Sequence, residues 1–361
     1  MDDHIDRERR RLLGAGAMAV AGTRLGVYGA LARTAVHPAA QEVNQLDALR
    51  GATAWLNSPP LSSSALRGKV VLLDICTYTC INWLRTLPYI RAWSQKYRDA
   101  GLVVIGIHAP EFTFEHDLDN VRRATKELEV EYPLAIDNDF AIWRALANRY
   151  WPALYVVTPD GGIRYRHFGE GEYEQSERNI QRLLRMTGAL HVDTSLVSVQ
   201  GPGVQAPPDW DNLRSPENYV GYARTEQFMS PGGIAPDARR SYTLPAQFRR
   251  NEWALAGLWT VKRQETALHQ PNGRIACRFH ARDLHLVLGP SARGVRIPFR
   301  VRIDGQLPGA AHGADVDEQG NGTVTDQRLY QLIRQPKPIE DRLFEIEFLS
   351  AGVEAFAFTF G

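Results

Sequence analysis

The stretch Val70-Val71-Leu72-Leu73-Asp74-Ile75-Cys76-Thr77-Tyr78-Thr79-Cys80-Ile81-Asn82-Trp83-Leu84-Arg85-Thr86-Leu87-Pro88 decides the fold. Its first half is a continuous apolar run broken only by Asp74, which predicts a strand buried on both faces. A short polar turn follows, and a helix opens at Cys80. A thiol at that point faces unsatisfied backbone N–H groups, which favour thiolate over thiol. A dithiol pair of the C-x-x-C type would place its second cysteine at position 83, where this chain has Trp83. The segment therefore offers an activated thiol without the usual partner.

Working outward, helical and strand periods alternate. A helix is predicted from Cys80 to about Ala100, with Leu84, Leu87, Ile90 and Trp93 along one side. Leu102 to Ile107 reads as a second buried strand, Glu115 to Leu128 as a polar amphipathic helix and Leu134 to Ile136 as a short strand. A helix around Phe140 to Asn148 comes next. Leu154 to Thr158 and Ile163 to His167 flank Pro159-Asp160-Gly161-Gly162, a hairpin signal, and Glu172 to Thr187 closes the unit as a helix. This order predicts a mixed sheet flanked by helices.

The segment resembles the thioredoxin-like superfamily, specifically the TlpA/DipZ-type exported thioredoxin-like proteins, whose active-site segment reads roughly D-F-W-T-Y-[ST]-C-I-N-[CW]-x-R-T-L-P. The matching residues are Asp74, Thr77 to Asn82, Arg85 to Pro88, Gly106-Ile107-His108-Ala109-Pro110-Glu111-Phe112 and Trp151-Pro152-Ala153-Leu154-Tyr155. The resemblance covers about Trp55 to Leu190, and the second half of the chain resembles the jelly-roll module of DipZ-type proteins. It implies an α/β thioredoxin-like fold followed by an all-β jelly-roll or β-sandwich domain. The expected organisation is a signal and tail over 1–40, the thioredoxin-like domain over 41–190, a Pro- and Gly-rich linker over 191–211 and the β domain over 212–361. In the last of these, short alternating segments are separated by turn signals such as Asp304-Gly305 and Gly320-Asn321-Gly322.

The resemblance also implies roles. Cys80 is the expected nucleophile of a thiol–disulfide oxidoreductase, against the bland reading of an inert buried cysteine. Asp74 matches the buried acid that relays protons to the active-site cysteines; the alternative is a purely structural carboxylate. Pro152 matches a cis-proline beside the nucleophile, where the backbone of Trp151 receives substrate. Trp83 packs beside the thiol and cannot resolve a mixed disulfide. Cys76 stands where the family usually has Trp, either as a small core residue or as a replacement resolving thiol, if the loop brings the Cα atoms within roughly 4.4–6.8 Å. Arg85, Glu111 and His108 are neighbours, and Arg85 is the candidate to stabilise a thiolate if the chain is instead a single-cysteine peroxide reductase. A non-enzymatic scaffold is the third class. The expected partners are protein or small-molecule thiols and disulfides.

Charge and cysteine count narrow the field. Forty-two Lys and Arg against forty-one Asp and Glu leave a formal net charge of +1 over 361 residues, with no basic field to attract nucleic acid. Three cysteines cannot form a disulfide framework. Arg9-Arg10-Arg11 before the weakly apolar run from Gly14 to Gly22 has the layout of a twin-arginine export signal, implying a periplasmic or extracytoplasmic location without a transmembrane helix in the mature protein. No cofactor is expected and no metal site: His280 and His285 lack a compact ligand cluster, and the acidic loop from His312 to Gly322 lacks a regular Ca²⁺-loop spacing. Cys277 reads as a core residue. Trp210, Trp253 and Trp259 are either core residues or a sugar-stacking surface, so a glycan or a partner protein is the expected ligand of the β domain.

Overall fold

The computed structural model describes residues 44–189 and 191–361; the paired arginines at the N-terminus lie outside them. The first sheet has six strands: β1 (Ala54–Leu56), β2 (Val70–Cys76), β3 (Leu102–His108), β4 (Leu134–Ile136), β5 (Ala153–Val157) and β6 (Ile163–Phe168). Four helices accompany them: α1 (Ile81–Lys96), α2 (Leu118–Glu127), α3 (Ala141–Ala145) and α4 (Tyr173–Met186). The strand order is β1-β4-β3-β2-β5-β6, with β2, β3 and β4 parallel and the rest antiparallel to their neighbours. This is a thioredoxin-like fold.

Every residue of β2 is buried, because both faces of the sheet are covered. Strand alternation sends Leu72, Asp74 and Cys76 to one face and Val71, Leu73 and Ile75 to the other. Leu72 and Cys76 join a cluster with Trp83, Leu84 and Leu87 of α1, while Val71, Leu73 and Ile75 pack with Leu46, Leu49 and Trp143. Two expectations shift in detail. The polar helix divides into a 3₁₀ turn (Thr113–His116) and α2, because the Asp117 side chain caps α2 by accepting from the N–H groups of Asp119 and Asn120. The sequence reading starts the first sheet at Val70, and the structure adds an edge strand before it, β1, paired with β4.

The second half forms β7 (Asn218–Tyr219), β8 (Arg239–Tyr242), β9 (Trp253–Val261), β10 (Thr266–Leu268), β11 (Gly273–Phe279), β12 (Asp283–Pro290), β13 (Ile297–Ile303), β14 (Asn321–Val324), β15 (Arg328–Arg334), β16 (Arg342–Phe348) and β17 (Val353–Phe360). They make one curled, wholly antiparallel sheet around a core containing Trp253, Trp259, Phe299, Phe344, Phe348 and Phe358. Trp253 and Trp259 are fully buried and so cannot form a sugar-stacking surface; Trp210 is 63% exposed. Cys277 is a core residue of this sheet. Among the described residues no helix is long and apolar enough to cross a membrane, and no group of three His, Cys, Asp or Glu is placed to hold a metal ion.

The two halves share a core. Phe112 and Phe114, which follow β3, meet Phe356 of β17 at ring-centroid distances of 5.3 and 4.7 Å. The segment expected as a linker is pinned rather than free: Val192, Val197 and Val204 pack on the first core, and Arg91 of α1 donates to Gln205 at 2.9 Å.

Candidate functional site

Cys80 is the N-cap of α1, half-buried and in extended backbone (φ −72°, ψ 113°), with no side-chain cap bond. It is a free thiol, as are Cys76 and Cys277. Ala153 of β5 pairs with Ile75 of β2, so Trp151 and Pro152 lie at the sheet end from which residues 77–80 leave. The Trp151–Pro152 peptide is cis. The Trp151 indole N–H donates to the Ala109 carbonyl at 3.0 Å, and the Ala109 N–H donates to the Cys76 carbonyl at 2.9 Å. These bonds tie together the three segments that the sequence places at the site.

Asp74 is completely buried beneath α1. Its Oδ2 accepts from the Trp83 indole N–H at 3.0 Å and from the Tyr132 hydroxyl at 3.2 Å, and its Oδ1 has no partner. Burial raises its carboxyl to about 6, with the two donors pulling the other way. Gly106 makes room for this arrangement. It lies opposite Asp74 in the β2–β3 register, and a Cβ there would come within 2.5 Å of Leu134 and 3.1 Å of the Tyr132 ring.

A second buried carboxylate organises the loops. Glu115 Oε1 accepts from the Thr79 hydroxyl at 2.6 Å, and Oε2 accepts from the backbone N–H groups of Glu111 and Phe112 at 2.6 and 2.9 Å. The residue before Cys80 is thus anchored to the loop after β3. The sequence places Glu115 only at a helix start, and its role needs the fold to be seen. Tyr132 is likewise missed by sequence reasoning, since nothing local marks it as a partner of Asp74.

The electrostatics depart from the sequence expectation. The Cys80 thiol is pushed up rather than down. Burial by its neighbours is the main cause, followed by the charges of Glu111 and Glu217, and the N–H groups of Trp83 and Asn82 offset this only in part. Cys76 is fully buried and also pushed up, first by burial and then by the Asp74 charge. His108 lies beside Cys76 in the β2–β3 register, stacks on Tyr78 with centroids 5.8 Å apart and has no partner at either ring nitrogen. Burial lowers it to about 3, so it is neutral.

Arg85 is not at the thiol. Its guanidinium is buried against Glu170 at 3.0 Å and donates to the Phe360 carbonyl of β17 at 2.9 Å, where it binds the two halves together. Glu111 also faces the second half: its Oε1 is 2.9 Å from Arg224 Nη1 and 2.7 Å from the Tyr219 hydroxyl. In the second half, His280 pairs with Asp341 at 2.6 Å and His285 is fully buried beside Asp283.

Two family profiles match the chain, the AhpC/TSA family over residues 54–166 and the thioredoxin-like C-terminal domain over residues 215–361. Protein DipZ of Mycobacterium tuberculosis is 32% identical over 318 residues, which are 87% of this chain and 42% of that protein. This chain thus spans about two fifths of the length of that relative. Thiol-disulfide oxidoreductase YkuV of Bacillus subtilis is 27% identical over 139 residues, 38% of this chain and 93% of that protein. Among solved structures, the solution structure of a thioredoxin-like protein in the oxidised form is 27% identical, covers 37% of this chain and 90% of its own, and has a TM-score of 0.35. The chain belongs to the thioredoxin-like superfamily and is a TlpA/DipZ-type protein.

Proposed function

We propose that this protein carries out thiol–disulfide exchange through Cys80. The observation behind the proposal is the half-buried Cys80 thiol at the start of α1, at the same sheet end as Trp151 and Pro152. The deprotonated Cys80 sulfur attacks one sulfur of a protein or small-molecule disulfide. A new S–S bond joins Cys80 to that sulfur, the old S–S bond breaks and the other sulfur leaves as a thiolate. Asp74, with a carboxyl at about 6, accepts and returns protons within the site. The Trp151 backbone and Pro152 position the incoming disulfide segment.

The second half of the reaction sets this chain apart. With Trp83 at the usual resolving position, an external thiol must attack the mixed disulfide to release the partner. Cys76 is the internal alternative; it is buried one turn of loop away, and burial holds it as a thiol. A peroxide reductase would need a cation at Cys80, and Arg85 is committed to Glu170 and Phe360 instead.

The second domain serves as a binding module for a partner protein or glycan, with Trp210, just before it, as the exposed aromatic. Export follows the paired Arg9 and Arg10, and a precursor with both changed to Lys should stay inside the cell. The exchange itself is tested with a small aromatic disulfide. Release of one equivalent of thiol, with the other half covalently on Cys80, is expected from the native chain and lost in Cys80→Ser. Equal release by that variant would refute the reading.

A further inference from the structure

We propose that the second domain contributes two positioning residues to the thiol site: Tyr219 and Arg224 hold the Glu111 carboxylate in place beside Cys80. This rests on the reading of Cys80 as the reacting group.

Glu111 is fixed at both ends. Its backbone N–H donates to Glu115, whose other oxygen holds Thr79, the residue before the thiol. Its side chain is only 8% exposed and lies against the second domain, with the Arg224 guanidinium at 2.9 Å and the Tyr219 hydroxyl at 2.7 Å on the same oxygen. Arg224 is itself aligned: its guanidinium carbon lies 3.4 Å over the centre of the Tyr219 ring and 5.8 Å over that of Phe112. Tyr219 sits on β7, which pairs with β17 in the heart of the second sheet, so the geometry is set by that sheet rather than by a free loop. The Tyr219 hydroxyl also reaches Glu217 at 3.1 Å.

Glu111 and Glu217 are the two charges that bear most strongly on the Cys80 thiol. Both oppose a thiolate, since like charges repel. Cys76 also lies close enough to Cys80 for the two to influence each other, and it is neutral. A bidentate-capable cation and a hydroxyl on Glu111 spread its charge away from the sulfur. Arg224 therefore acts on Cys80 through Glu111, and the second domain adjusts how readily the thiol ionises.

The test is the pH profile of Cys80 alkylation by iodoacetamide in the full chain, with the adduct located on Cys80 rather than Cys76 by fragment masses. This readout does not require exchange activity, so a failure of the exchange assay would count against the proposed function alone. Arg224→Gln should move the profile to higher pH by about one unit, or roughly tenfold in rate at fixed pH. Tyr219→Phe should move it the same way by less, and Arg224→Lys should restore most of it. Glu111→Gln should move it to lower pH. In the Glu111→Gln background, Arg224→Gln should then have no further effect. An unchanged profile in Arg224→Gln would overturn the proposal. So would an equal shift with and without Glu111, since Arg224 would then act on the sulfur directly or through general loosening. If Arg224→Gln does not fold, Tyr219→Phe and Arg224→Lys with and without Glu111→Gln decide the same question.

Discussion

Trp83 donates its indole N–H to Asp74 at 3.0 Å, so the residue at the usual resolving position is bonded to the buried acid beneath it. The substitution therefore removes a thiol and adds a donor. That donor stabilises the ionised form of a carboxylate that burial would otherwise keep protonated.

Trp83→Phe keeps most of the ring volume and deletes the donor. Asp74 should then titrate above its present value of about 6. The loss of stability should be roughly 1–3 kcal/mol where Asp74 is ionised, as for a buried charged acceptor losing one partner. It should shrink where Asp74 is protonated. Denaturant unfolding at pH 8 and pH 5 checks this, and an equal loss at both would show that packing alone is at stake.

Asp74 also gives a direct pH signature. Its folded value, about 6, lies above the reference 3.8, so the native state binds the proton more tightly than the unfolded chain. The favourable contribution is complete below pH 3.8 and is lost as pH rises through 6. Asp74→Asn cannot ionise, and its amide oxygen can still accept from Trp83 and Tyr132. Relative to native, the variant should gain roughly 3 kcal/mol between pH 3.8 and pH 7, whatever its absolute stability, from about two units at 1.36 kcal/mol each. A flat difference across that range would mean that Asp74 is not protonated near neutrality. The same variant should slow exchange through Cys80 if Asp74 handles the proton.

Much of this site was legible in the sequence because its residues lie on short local patterns. The apolar run into Asp74, the cysteine at a helix start and the Trp151–Pro152 pair each announce their place within a few residues. Partners from far along the chain could not be read. Tyr132 reaches Asp74 only because Gly106 leaves a gap beside it. Tyr219 and Arg224 lie in a stretch with neither apolar period nor motif, and only the docking of the second sheet brings them to Glu111. The same docking adds the Glu217 charge to those that push the Cys80 thiol up. A helix start favours thiolate, but burial and two nearby carboxylates outweigh two backbone N–H groups. Strand β9 escapes a search for alternation, since Trp-Ala-Leu-Ala-Gly-Leu-Trp-Thr-Val is almost wholly apolar, which suits a strand buried along most of its length.

The interdomain clamp around Arg85 makes a third prediction. Arg85 and Glu170 have side chains 3% and 7% exposed, and burial pushes the Glu170 carboxyl up while Arg85 pulls it back. Arg85→Met leaves Glu170 buried without its cation and the Phe360 carbonyl without its donor. The expected cost is about 3–5 kcal/mol, larger at pH 8 than at pH 5 because Glu170 can then escape only by staying protonated. Arg85→Met with Glu170→Met should recover much of it, which a double-mutant cycle in denaturant will measure. Additive losses would show that the two charges do not interact.

The fate of the mixed disulfide is the sharpest consequence of Trp83. After Cys80 has taken half of a small disulfide, no thiol stands at position 83 to displace it, and Cys76 is a fully buried thiol. The adduct should persist in the native chain until an external thiol is added, with release proportional to the concentration of that thiol. Cys76→Ser should leave its lifetime unchanged. Trp83→Cys should shorten it, by placing a second thiol one helical turn along α1, and peptide maps under non-reducing conditions should then show Cys80 crosslinked to the introduced thiol. If the native adduct instead decays at a rate independent of added thiol, and Cys76→Ser abolishes that decay, then Cys76 resolves the intermediate. In that case the chain is a dithiol enzyme with its partner cysteine moved to the end of β2.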